Sequence, residues 1–479
     1  MTAGIAAIGS YVPRERLALS EVKSYWPSSG AAGGPNSVAV AGSDEDVITM
    51  AVEAVHTLLS HVSTPVEDID LLIMATCSSP YAEHSAAGEV ARAIGLPRSA
   101  AFVDQSGSTL CGVGALIAAV DAVNAGRSQH ALVIASDRRR GKPGAATELF
   151  GAGAIAVLIS ENGRVVVNDA ASWRCGVPTR WRPDGQASLH HYEDARYEME
   201  HQILPAIRGL LDQLTVDPPA FGAIAPVDSR ALKAVARAFT FHTQLEVGEI
   251  AEVGDLGCAA PLFLLAVSLA GRPEPGAHGI CVAVEPGSGA QGFVVTASAT
   301  PAIIALRPHP VSINYVEYLQ RFGILTGIAP TEPIVPYAAT PGASRDDTDN
   351  SLAGARCAEC RSLFIPPRAL CLDCGSHRFT TERGPRSGTV VTFNVQHVVA
   401  VHPEPAPVAV GVIRLEGEGG QRGGQVSAMF CDSDLDSLGI GDDVELVYRR
   451  IGVDDGLVKY GWKARRSLCD DERLGTMGS

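Results

Sequence analysis

The stretch Asp104–Val120, DQSGSTLCGVGALIAAV, passes from an apolar segment through a Gly/Ser turn into a run of small and apolar residues. This reads as the end of a buried strand, a tight turn and the start of a closely packed helix. A helix start is a place for a reactive side chain, because its free N–H groups stabilise an anion and lower a thiol pKa. Thr109 and Cys111 compete for that position.

Outward from this turn, short apolar runs at 70–78 (DLLIMATCS), 130–137 (HALVIASD) and 154–160 (AIAVLIS) alternate with helical patterns. That is the signature of strands covered by helices on both faces. Ser43 is the expected N-cap of a helix carrying Val47, Met50, Ala51, Ala54, Val55 and Leu58. A similar order returns later in the chain: the helix pattern HQILPAIRGLLDQL, the strand FGAIAPVDS, the turn VGDLGCAAP and the strands GICVAVE and GFVVTAS. The module is therefore read as a duplication, with halves at about 1–165 and 166–300 and an extension to 326. The turns at 106–112 and 254–260 are then equivalent and able to meet at one site, as at other α/β switch points. Two ordinary glycine turns are the plainer alternative.

Residues 327–350, rich in Pro, Thr, Ala and Asp, read as a linker. Beyond them, Cys357, Cys360, Cys371 and Cys374 form CxxC-x10-CxxC at 351–380. Two such knuckles bring four thiolates around one ion. Zn2+ is favoured, with iron the alternative for a soft S4 site, and a site filled by protein ligands is structural. A redox reading is weaker, since redox CxxC motifs occur singly near a βαβ unit. Residues 381–466 contain short strand patterns separated by Gly, Pro and Asp, as in a small OB-type barrel, followed by a tail at 467–479.

The 479 residues carry a formal charge of −15 with no Lys/Arg-rich run, which argues against nucleic acid as a partner. No apolar run approaches the roughly 20 residues of a membrane span, and the N-terminus lacks a signal-peptide pattern. Eleven cysteines, four of them in knuckles, suit free thiols plus metal in a reducing compartment. A soluble, cytoplasmic protein without membrane contact is expected.

On SDEDVITMAVEA, LIMATCSSPYAEHS, HALVIASDRRRGKPGAATELFGAGAIAVL, RWRPDG and GSGAQG, residues 1–326 resemble the thiolase superfamily, in particular its HMG-CoA synthase-like and ketoacyl synthase III-like branch. Residues 351–466 are similar to the DUF35 family, a rubredoxin-like zinc ribbon followed by an OB fold. The resemblance implies an α/β fold of five duplicated layers, a homodimer built through that module, and acyl-CoA or acyl-carrier-protein thioesters as substrates. It also admits a second thiolase-like subunit as partner, because the two modules often occur on separate chains.

Such enzymes carry a Cys nucleophile, a His and an Asn, and HMG-CoA synthases add a Glu base. By gapless matching Thr109 takes the nucleophile position, Ala225, Pro226 and Val227 the His position, Asp255 the Asn position and Cys77 the Glu position. A two-residue shift turns a helical side chain by about 200°, so Cys111 substitutes for Thr109 only if the turn is redrawn. Pro and Val cannot donate the hydrogen bonds that stabilise a thioester enolate, which argues against standard HMG-CoA synthase chemistry. Asp255 is a candidate base. Cys111 is the expected acyl acceptor, because acyl transfer needs a nucleophile, with Cys77 and Cys258 converging nearby. Arg139, in the DRRRG run, and Arg182 are candidates for a CoA or carrier-protein phosphate, and His242 is the nearest histidine of the second half. The expected activity is acyl transfer or C–C bond formation. A thiolase-like aldolase acting on a β-hydroxyacyl-CoA and a non-catalytic scaffold subunit are the alternatives.

Overall fold

A strand buried on both faces needs apolar residues on both sides of its pleat, and the segment from His130 to Arg138 meets that need. Leu132 and Ile134 enter one core cluster, while Ala131, Val133 and Ala135 enter another. The computed structural model describes residues 2–27, 35–144, 150–192, 194–214, 219–225, 234–235, 237–238, 248–299, 301–306, 308–325, 350–397, 407–417, 423–433, 435–454 and 456–467. The linker except Asn350, the tail beyond Ser467, Pro226, Val227 and His242 lie outside them.

The first half comprises β1 (Ala3–Tyr11), α1 (Val47–Leu59), β2 (Leu71–Ala75), α2 (Ala86–Ile94), β3 (Ala101–Gln105), α3 (Cys111–Asn124), β4 (His130–Arg138) and β5 (Ala152–Glu161). The second comprises β6 (Val165–Arg174), α4 (Leu204–Leu211), β7 (Phe221–Ala225), α5 (Ala260–Ala270), β8 (Ala277–Glu285) and β9 (Gly289–Ala297). Strand order is β1-β5-β4-β2-β3 in the first half and β6-β9-β8-β7 in the second. The pairings repeat as well. β2/β4 and β7/β8 are parallel, whereas β4/β5, β8/β9, β5/β1 and β9/β6 are antiparallel. A short pairing of Gly4 and Ile5 with Val166 and Val165 joins the halves, and β10 (Ala302–Leu306) lies parallel to β1. Helices α1 and α2 cover the first half-sheet, α3 and α5 fill the space between the halves, and α4 covers the second. The α/β module is therefore a duplicated, five-layer thiolase-like fold.

The cap of α1 differs from the sequence expectation. Asp46, not Ser43, accepts the N–H groups of Ile48 and Thr49, and Thr49 answers in a capping box. A carboxylate next to the first helical residue reaches both donors, whereas Ser43 lies three residues too early.

The ribbon pairs β11 (Ala353–Cys357) with β12 (Leu363–Phe364) and β13 (Phe379–Arg383). The OB barrel follows with β14 (Ser387–Gln396), β15 (Val408–Leu415), β16 (Gln425–Met429), β17 (Asp443–Asp454) and β18 (Leu457–Arg466), in the order β16-β15-β14-β17-β18. A bridge between Phe430 and Ala464 closes it. The barrel is not tethered loosely. Tyr448, Tyr460 and Trp462 pack into the apolar cluster of α1 and α2. Lys463 pairs with Asp44 at 2.8 Å, Arg386 with Glu53 at 2.8 Å, and the Tyr460 hydroxyl donates to Asp46 at 2.8 Å. No helix among the described residues is long and apolar enough to cross a membrane.

Candidate active site and metal centre

The two glycine turns meet. A Cβ added to Gly112, on the first turn of α3, would lie 2.1 Å from the carbonyl oxygen of Cys258, so only glycine admits this approach. Each turn is held by a carboxylate from the end of the other half's strand. Asp137, ending β4, accepts the backbone N–H of Cys258 at 2.9 Å. Glu285, ending β8, accepts that of Thr109 at 3.3 Å and the Ser108 hydroxyl at 2.5 Å. The two carboxylates occupy equivalent strand positions, so this exchange is a direct consequence of the duplication.

Cys111 does head α3, as the redrawn turn required. The lowered pKa expected there is not found. Its thiol is 5% exposed and lies between those of Cys77 and Cys258. The hydrogen bond to Cys258 and burial push Cys111 up, with Cys77 pulling the other way. The hydrogen bond to Cys111 and burial push Cys77 up, and burial pushes Cys258 up to about 12. The result is a chain of protonated thiols ending on the Ala75 carbonyl oxygen, 3.4 Å from Cys258 Sγ. A thiolate formed there would lose water without gaining a cation, which outweighs the helix terminus. Thr109 is 1% exposed, and its hydroxyl has no hydrogen-bond partner among the described residues.

Asp255 lies on the second turn. Its Oδ1 accepts the N–H of Gly257 at 2.8 Å and its Oδ2 meets Arg139 at 2.5 Å. Arg139 is thus buried against a carboxylate and stacked 4.1 Å over Phe150, rather than presented to a phosphate as expected from the sequence. Burial pulls its pKa down, but Asp255 and Asp137 outweigh that and raise it. Arg182, by contrast, is exposed and bonds the Cys77 carbonyl at 3.1 Å. Beside it Trp181 stacks on His190, 5.7 Å between centroids, and Lys142 reaches His190 at 3.2 Å.

Sequence reading missed Asp137 and Glu285. Asp137 also receives the Thr76 and Ser78 hydroxyls and the Cys77 N–H, which commits it to holding the turn. Glu285 is less committed: Oε2 takes its bonds, including Ser288 at 2.9 Å, and Oε1 has no hydrogen-bond partner among the described residues. The only available signal was its place at the end of a strand equivalent to β4. The site therefore combines protonated thiols, an orphaned hydroxyl, a carboxylate neutralised by Arg139 and a second carboxylate with a free oxygen. That set suits proton transfer better than thiolate attack.

The ribbon brings its four cysteines together, with all four sulfurs within 4.8 Å of one another. Cys357 and Cys374 lie 3.5 Å apart, and Cys360 and Cys371 3.4 Å. A tetrahedral zinc with bonds of 2.3 Å sets its sulfurs about 3.8 Å apart, so the donor set fits. Each knuckle turns through a left-handed residue just past its second cysteine, Arg361 at φ 63° and Gly375 at φ 74°.

Comparison with known proteins gives the class first. Residues 348–380 match the family model of the ChsH2 rubredoxin-like zinc ribbon domain, and residues 382–449 that of the ChsH2 C-terminal OB-fold domain. The N-terminal part shares the thiolase-like fold of the 3-oxoacyl-(acyl carrier protein) synthase III FabH from Pseudomonas aeruginosa. That structure aligns at a TM-score of 0.55 with 22% identity, covering 63% of this chain and 99% of that one. An HMG-CoA synthase complexed with CoA aligns at 0.54 with 21% identity, covering 62% and 82%. More particularly, the hydroxymethylglutaryl-CoA synthase of Pyrobaculum neutrophilum is 24% identical over 343 residues, 66% of this chain and 96% of its own length. The N-terminal part is thus similar in sequence to HMG-CoA synthases and shares the fold of ketoacyl synthase III structures, and it is joined to segments that match the ChsH2 ribbon and OB-fold models.

Proposed function

We propose that the α/β module acts on acyl thioesters of CoA or an acyl carrier protein, and makes or breaks a carbon–carbon bond next to the thioester carbonyl without passing the acyl group through Cys111. The observation that carries this reading is the burial of Cys111, 5% exposed and set between Cys77 and Cys258 with carboxylates close by, in a fold shared with a hydroxymethylglutaryl-CoA synthase and a 3-oxoacyl-(acyl carrier protein) synthase III. In the cleavage direction a carboxylate takes the hydroxyl proton of a β-hydroxyacyl thioester, and the Cα–Cβ bond breaks. The electron pair passes to the thioester as an enolate, a proton returns to Cα, and a carbonyl compound leaves; addition is the reverse. The exposed Arg182, with Trp181, His190 and Lys142 around it, suits an anionic, aromatic thioester carrier beside the thiol cluster.

Cys357, Cys360, Cys371 and Cys374 would hold one Zn2+, whose closed coordination supplies stability rather than a reactive water. The exposed Phe102 and Val103 on edge strand β3 suit pairing with a second copy of this chain. The test of the main reading is turnover of the purified chain on a panel of β-hydroxyacyl-CoA thioesters, followed by product mass. Carbonyl release supports it. Turnover only after addition of a second thiolase-like subunit would support a scaffold role instead.

A further inference from the structure

We infer that the cleft between the zinc ribbon and the OB barrel is a second binding site, remote in sequence from the glycine turns, for an amphiphilic carboxylate: a single carboxylate group on an apolar chain, with no coenzyme or carrier attached. This inference does not depend on the thioester reading above. The cleft has a volume of about 740 Å3, within the range of small-molecule sites. Its walls come from two hairpins: the ribbon supplies Leu363 on β12, Ile365, Arg368 and Leu372, and the barrel supplies Arg414 and Leu415 at the end of β15. Gly424, just before β16, lets the hairpins meet. A Cβ on it would lie 2.6 Å from the Leu363 carbonyl oxygen, and its φ of 79° already favours glycine.

Charge points to an anion. The chain carries 53 acidic side chains against 38 basic ones, so partners for arginine are plentiful, and elsewhere in the ribbon Arg356 pairs with Glu382 and Arg378 with Glu359. Arg368 and Arg414 do not follow: among the described residues neither side chain has an ion pair or a hydrogen bond. The one carboxylate in the lining is Asp373, whose Oδ2 accepts the Ser362 hydroxyl at 2.5 Å. Two cations against one anion leave the described lining one positive charge in excess, which matches a monoanion. A planar guanidinium pairs with a carboxylate through two parallel hydrogen bonds, so the head group fits both arginines. The rest of the wall is apolar. Leu363, Ile365, Leu372 and Leu415 line it, and Leu372 is 65% exposed, so a hydrocarbon chain laid along the cleft removes apolar surface from water on both partners. A small inorganic anion would use only the arginines, and a neutral lipid only the leucines.

The experiment is calorimetric titration of the full chain with octanoate, acetate and 1-octanol, and of the variants Arg368→Gln, Arg414→Gln and Leu372→Ser with octanoate. Octanoate should bind about tenfold or more tightly than either comparator, since only it engages both parts of the wall. Each arginine change should weaken octanoate about tenfold, the size of a lost charge-assisted hydrogen bond, and Leu372→Ser should weaken it severalfold. All three side chains are exposed, so their replacement should leave the ribbon folded, with its metal content as the check. Absence of saturable octanoate binding at millimolar concentration overturns the inference. So does octanoate binding that is undiminished in all three variants, which places the ligand elsewhere, or acetate binding equal to that of octanoate, which reduces the cleft to a simple anion site.

Discussion

Arg449 Nη2 on β17 lies 3.1 Å from Glu45 Oε1, and neither side chain is more than 3% exposed, although 404 positions separate them. Asp432 at 3.0 Å and the Tyr11 hydroxyl complete the surroundings of the guanidinium. Burial opposes its charge, and Glu45, Tyr11 and Asp432 together more than restore it. Removing the cation alone leaves buried carboxylates without compensation. Arg449→Ala should therefore lower unfolding free energy by about 3–5 kcal/mol in chemical denaturation. The double change Arg449→Met with Glu45→Leu should recover part of that loss, since Asp432 and Asp44 still lose their partner. A cost below about 1 kcal/mol for Arg449→Ala would mean that barrel and α/β module are not one folded unit.

His56 on α1 supplies a pH dependence at the same junction. Burial, then the neighbouring Arg386 and Arg383, hold its pKa well below the usual value, and its ring lies 5.9 Å from that of Trp462. In the unfolded chain it titrates near 6.5. The folded state therefore binds fewer protons, and the stability present above about pH 6.5 is lost as pH falls, by about 1.4 kcal/mol per unit. Denaturation midpoints between pH 7 and pH 5 should show this slope, and His56→Asn should flatten it. An unchanged slope in the variant would place the effect elsewhere.

The ribbon should carry one zinc per chain, measurable by elemental analysis of native protein. Cys360→Ser should lower both the zinc content and the thermal stability of the ribbon, because a structural site contributes folding free energy directly. Full stability in the metal-free protein would contradict this.

Most local features were legible in the sequence, apart from the Asp46 cap of α1 and the exposure of β3, which was expected to be buried; the long-range ones were not. The turn at 106–112, the start of α3 and the four-cysteine ribbon each depend on residues a few positions apart, which is where turn, capping and ligand rules operate. Arg449, Lys463 and Arg465 carry no local sign of burial in their strands, and docking onto Asp44, Glu45 and Glu53 buries them. Glu285 was hidden for a related reason. Nothing near it in sequence marks it, and its partner turn lies in the other half of the duplication. At Cys111 the sequence shows the helix start but not the burial beside Cys77 and Cys258, which opposes the lowering of its pKa that a helix start favours.

The edge strand β3 predicts self-association. Phe102 and Val103 are 52% and 47% exposed on a strand that, among the described residues, pairs only with β2. Light scattering at micromolar concentration should give the mass of a dimer, and Phe102→Asp should shift it toward monomer by placing charges in the interface. A monomeric parent protein would remove this account of the exposed pair.

The central claim is that acyl thioester chemistry here does not use a covalent thiol intermediate. Its most direct test is Cys111→Ala, read by turnover on a β-hydroxyacyl-CoA and by intact mass of parent and variant after brief exposure to the thioester. The account predicts turnover in the variant within a few-fold of the parent and no acyl adduct on either protein. An acyl adduct on the parent that disappears together with turnover in Cys111→Ala would contradict it and establish Cys111 as the nucleophile.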